Sequence, residues 1–82
     1  MEGRHVDGRA IRALREQQGY RQVEFADKAN VSIRYLKYIE GLVSRPHELT
    51  RQPSIVVVYR IARALDVDID AFSTPTDAVG AA

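Results

Sequence analysis

The 82-residue chain contains no cysteine. Disulfides, thiolate zinc sites and cysteine nucleophiles are therefore all excluded. Long apolar runs are missing too. The longest, Ile55 to Tyr59, falls far short of the ~20 residues a membrane helix needs. The opening residues, Met1-Glu2-Gly3-Arg4-His5, lack the apolar stretch of a secretory signal. These absences lead to the expectation of a soluble, cytoplasmic protein with no membrane contact. Catalytic patterns are equally scarce. Serine, histidine and aspartate are present, but none sits in a nucleophile motif, so an enzyme is not expected. His5 and His47 are the only histidines, and neither a metal site nor a cofactor is expected. His47 is expected to meet phosphate or solvent. Asp66, Asp68 and Asp70 alternate like calcium ligands, but the central glycine and distal glutamate of an EF-hand loop are absent. They read as helix caps that also keep this end of the molecule away from polyanions.

Eighty-two residues make one domain with a small core. A hydrophobic fraction of 45% fits a globular chain. The net charge of +1 hides a strong asymmetry. Residues 1–65 hold all 12 bases against 7 acids, a net of +5, while residues 66–82 hold 4 acids and no base, a net of −4. A basic middle on a nearly neutral chain points to a polyanion-facing surface. A solvated charged face has the same composition, so charge alone does not decide.

Hydrophobic spacing and caps predict helices throughout. Asp7 caps a first helix over 8–18, with Ala10, Ile11 and Leu14 as its apolar stripe and Gly19 as its stop. A second helix spans 22–29, with Phe25, Ala26 and Ala29 inward and Arg21 in the cap position, where it caps poorly. Asn30-Val31-Ser32 makes a turn. Asn30 tolerates a positive φ, Val31 plugs the gap between helices and Ser32 caps a third helix over 33–40, with Leu36 and Ile39 inward. Residues 41–53 form a long loop, with Leu42, Val43 and Leu49 as candidates to tuck it down. Ser54 caps a fourth helix over 54–65. Ile55-Val56-Val57-Val58-Tyr59 locally prefers strand, but Val58, Ile61, Ala62 and Leu65 keep helical spacing. Asp68 caps a short fifth helix with Ile69 and Phe72 inward. The domain is placed at 1–73, and a flexible tail at 74–82.

Two short amphipathic helices joined by a tight turn, from Arg21 to Glu40, are the layout of a helix-turn-helix. The chain resembles the Cro/phage-repressor, or XRE, type over residues 9–72. The resemblance rests on Ile11-Arg12-Ala13-Leu14-Arg15, Gln22-Val23-Glu24-Phe25-Ala26, Val31-Ser32 and Leu36-Lys37-Tyr38-Ile39-Glu40. It continues in Pro53-Ser54 and in Arg60 to Val67. It implies an all-α, compact five-helix, lambda-repressor-like domain. It further implies a transcriptional regulator, most simply a repressor of phage or bacterial type, that reads double-stranded DNA with helix 3 in the major groove.

The resemblance also implies roles for single residues. Gln22 contacts the DNA backbone, and Ser32 meets phosphate at the cap of helix 3. Ile33, Arg34 and Tyr38 face the bases, with Lys37 beside them. Arg15 and Glu40 form an ion pair that ties helix 1 to helix 3. By their chemistry, Arg34 can donate two hydrogen bonds to guanine and Ile33 can touch a thymine methyl. Lys28, Lys37, Arg45 and Arg51 can neutralise phosphates. Arg21 in place of a Ser or Thr cap, Asn30 in place of Gly and the longer loop set this chain apart from the family pattern. Val56 and Val57 cannot both face the core. They mark a candidate interface, for a homodimer on a palindromic operator or for a protein partner, as in the antitoxin-like alternative.

Overall fold

The computed structural model describes residues 4–42 and 52–75. In chain order it holds β1 (Arg4–Val6), α1 (Gly8–Gln17), α2 (Gln22–Ala29), α3 (Ile33–Glu40) and α4 (Ile55–Leu65). A single 3-10 turn (Ile69–Ala71) and β2 (Ser73–Pro75) follow.

Local chemistry sets the helix ends. Asp7, Ser32 and Ser54 have extended backbones, and their side chains accept from the amides of Arg9, Tyr35 and Val57, satisfying first-turn donors of α1, α3 and α4. α1, α2 and α4 close with the same pair of reversed hydrogen bonds. After α1, Tyr20 N–H donates to the Arg15 carbonyl and Gly19 N–H to that of Glu16, with Gly19 at φ +83°. Asn30 and Asp66 take the left-handed position after α2 and α4, at φ +59° and +57°, a conformation their short polar side chains tolerate. Arg21 has no acceptor to offer α2. Glu24 Oε1 instead accepts from Arg21 N–H at 2.9 Å, one half of a capping box.

The helical period overrides the strand preference of the valine run. Val58, Ile61, Ala62, Ala64 and Leu65 are buried on one side of α4. They meet Ile11 of α1, Phe25, Ala26 and Ala29 of α2, and Leu36 and Ile39 of α3. Burying each large apolar side chain contributes about 1.5–3 kcal/mol. Gly8 lets α1 come against the last turn of α3, where its amide donates to the Leu42 carbonyl at 3.0 Å.

Two expectations are corrected. The fifth helix is one 3-10 turn, capped by Asp68. Phe72 leaves helical geometry at φ −141° because the chain turns there to pair with the N-terminus. β1 and β2 are antiparallel, with Arg4 opposite Pro75, His5 opposite Thr74 and Val6 opposite Ser73. This pairing brings Val6 and Phe72 into the core. Arg4 fastens it by donating to Ser73 Oγ and pairing with Asp70. Thr74 and Pro75 thus belong to a strand, although the sequence assigns them to a tail, and residues 76–82 lie outside the described residues. Of the candidates for tucking down the long loop, Leu42 is buried, while Val43 and Leu49 lie outside the described residues. At the other end of that loop, Gln52 Oε1 accepts from Val6 N–H and Pro53 is buried.

Candidate nucleic-acid interface

α2 and α3 pack together, and three polar side chains fix the angle between them and α1. Arg15 Nε donates to Glu40 Oε2 at 2.6 Å, and Nη2 donates to Glu40 Oε1 at 3.1 Å. Gln22 Nε2 donates to Glu40 Oε1 at 3.0 Å. Arg15 Nη1 also donates to the Tyr20 carbonyl at 2.7 Å. Arg15 and Glu40 are both buried. A bidentate pair of this kind specifies orientation as well as energy, and one carboxylate here joins α1, α2 and α3.

With Leu36, Ile39 and Glu40 buried, α3 presents Arg34, Lys37 and Tyr38 to solvent. Arg34 and Lys37 form no ion pair among the described residues. Ile33 is half-buried and packs on the core edge, so only part of its side chain is presented outward. Ser32 is exposed, but its hydroxyl already caps α3. Lys28 lies at the far end of α2. Its ammonium donates to the Tyr20 hydroxyl at 2.6 Å and sits 4.7 Å from that ring's centroid. Arg45 and Arg51 lie outside the described residues. Val56 is exposed beside Ile55 and Tyr59 on α4, whereas Val57 is half-buried and packs against the core.

The structure adds residues that the sequence reading passes over. A cleft of about 570 Å³ opens between α1, the start of α2 and the end of α3, with Arg12, Arg21 and Lys37 on its rim around Gln22 and Glu40. Arg12 lies one helical turn before Arg15, and that spacing is its only signal in the sequence. Arg21 reads there only as a poor cap. Each arginine is loosely paired on the surface, Arg12 with Glu16 at 3.2 Å and Arg21 with Glu24 at 3.6 Å, and exposed pairs of this kind are weak. The backbone hydrogen bond from Arg21, with smaller contributions from its side chain and charge, holds the Glu24 carboxyl below its ordinary range.

A family model for the helix-turn-helix matches residues 11–41. The fold is similar to the DNA complex of SinR, the biofilm master regulator of Bacillus subtilis. That likeness has a TM-score of 0.63 at 33% identity and covers 77% of this chain and 90% of that one. It is also similar to the restriction-modification controller protein C.AhdI of Aeromonas hydrophila, with a TM-score of 0.64 at 25% identity over 78% of this chain and 86% of that one. A third likeness is to the SinR–SinI complex, with a TM-score of 0.61 at 34% identity over 76% of this chain and 54% of that one. No curated protein sequence matches the chain. The chain belongs to the XRE type of the helix-turn-helix family, a family of DNA-binding transcriptional regulators.

Proposed function

We propose that this chain is a sequence-specific transcriptional regulator, most simply a repressor, that inserts α3 into the DNA major groove. The observation that carries this reading is the contrast on α3. Its inner face is locked by the buried Arg15–Glu40–Gln22 network, while Arg34 and Lys37 project outward with no ion-pair partner among the described residues. Unneutralised cations on a rigid helix suit base edges and phosphates. Arg34 and Tyr38 take the base-reading role, Ile33 contributes an apolar edge, and Lys37 stands where a base or a phosphate can be reached. Gln22, with Arg12 and Arg21 beside it, and Ser32 at the other end of α3 face the backbone. Lys28 is held by Tyr20 and has to leave it to reach a phosphate. Arg45 and Arg51 join this group by charge alone. Binding at a promoter would block transcription sterically, and the cytoplasm is where such a protein acts.

The exposed side of α4 supports pairing on DNA. Ile55, Val56 and Tyr59 are exposed together, and an exposed apolar face of this kind suits a symmetric partner on a palindromic site. Val57 supports that face from the core side. The alternative occupant is a second protein, as in an antitoxin-like module, and the SinR–SinI complex favours keeping that reading beside the first. Selection of bound duplexes from a random pool tests the proposal. A recovered palindrome supports a symmetric reader, and sedimentation on that duplex gives the stoichiometry. Recovery of no preferred sequence contradicts sequence-specific binding.

A further inference from the structure

The recognition helix carries two tyrosines one turn apart. The rings of Tyr35 and Tyr38 are stacked, with centroids 6.2 Å apart and planes inclined by only 7°. Residues three apart on a helix are neighbours, and this separation lies within the range of offset aromatic stacking. The two rings differ in their surroundings. Tyr35 is half-buried and packs on the edge of the core, and its amide donates to the Ser32 hydroxyl at 3.0 Å. Tyr38 is exposed. Both rings border an open cleft of about 420 Å³ beside Gln52 and Ser54 at the start of α4.

We propose that Tyr35 is a positioning residue for base readout, its core-anchored ring holding Tyr38 in the direction that reaches the groove. The inference rests on the reading that α3 faces the major groove and that Tyr38 touches a base edge there. A tyrosine side chain on a helix has more than one staggered rotamer open to it. A parallel ring at stacking distance selects the rotamers that lie against it, so the hydroxyl meets the groove already aimed. Preorganisation of this kind strengthens a contact without adding an atom to it. Tyr35 need not touch DNA for this role. One line of anchoring runs from the Ser32 cap to the Tyr35 backbone, then through the ring stack to Tyr38.

Base-preference profiles from a random duplex pool test the proposal, using wild type, Tyr38→Ala, Tyr35→Phe, Tyr35→Leu and the Tyr35→Leu/Tyr38→Ala double variant. Tyr38→Ala should lose discrimination at one base position, by roughly 2- to 10-fold, the worth of a single neutral hydrogen bond. Tyr35→Leu should weaken preference at that same position, by a smaller factor, and leave the other positions intact. Tyr35→Phe keeps the stacking ring and should retain the wild-type profile. In the double variant, Tyr35→Leu should add nothing at that position, since coupled residues are not additive. Profiles are normalised within each variant, so partial unfolding of Tyr35→Leu does not imitate the result. If Tyr38→Ala alters one position and Tyr35→Leu alters none, or alters all evenly, the positioning role is overturned. If Tyr38→Ala leaves the profile unchanged, the base contact beneath the proposal is itself wrong.

Discussion

Gly8 lies so close to Ile39 that a Cβ on the glycine would fall 2.1 Å from the Ile39 carbonyl oxygen and 2.8 Å from that of Glu40. Both obstacles are backbone, so neither can rotate away. This contact sets how far the start of α1 sinks against the end of α3. Gly8→Ala should therefore lower stability by about 1–3 kcal/mol, as overpacking does, although alanine is the better helix former. Thermal or urea unfolding checks it. Unchanged or raised stability would mean that α1 and α3 are not packed this tightly.

The Arg15–Glu40 pair predicts a pattern rather than a single number. Glu40→Ala strands a buried guanidinium and leaves Gln22 without its acceptor, and should cost about 3–5 kcal/mol. Arg15→Met/Glu40→Leu removes both charges at similar volume and should recover most of that loss. A loss under about 1 kcal/mol for the single variant would show that water already screens the pair. Denaturant curves on the three proteins decide.

Glu24 predicts an acid-side effect at the start of α2. Its carboxylate accepts from Arg21 N–H, and its pKa is held below the ordinary value of 4.5. A carboxyl with a lowered folded value contributes stability above its unfolded value. That contribution is lost as pH falls through the folded one. An NMR titration should place Glu24 below 4.5, and protonation should lower the protection of the Arg21 amide, measured as its exchange relative to the intrinsic rate at the same pH. Glu24→Gln should make that protection insensitive to pH between 5 and 3, in the range of carboxyl titration. Titration of Glu24 at its ordinary value would remove the proposed cap.

Much of this architecture was legible because local chemistry and core packing agree. Asp7, Ser32 and Ser54 cap the helices that they precede in sequence, and Asn30 adopts the left-handed turn. The helical spacing of Val58, Ile61 and Leu65 prevails over their local strand preference because α2 lies on that side. The β1–β2 pair was not legible. Each strand has three residues, they are separated by nearly the whole chain, and neither alternates long enough to show a period. Glu24 standing in for a missing cap, Arg12 on the rim of the cleft and the Tyr35–Tyr38 stack depend on side-chain geometry that spacing alone does not specify.

The central claim is that α3 reads base sequence, and Arg34 is its most exposed commitment. Its direct test is equilibrium binding of wild type and Arg34→Ala, with Lys37→Ala as the control, to a selected duplex and its single-base variants across a salt series. Arg34→Ala should lose discrimination at one base position by roughly 5- to 100-fold. If Lys37 contacts phosphate, Lys37→Ala should weaken all the duplexes evenly and reduce the salt slope by about 1. Full wild-type base preference in Arg34→Ala would contradict the account.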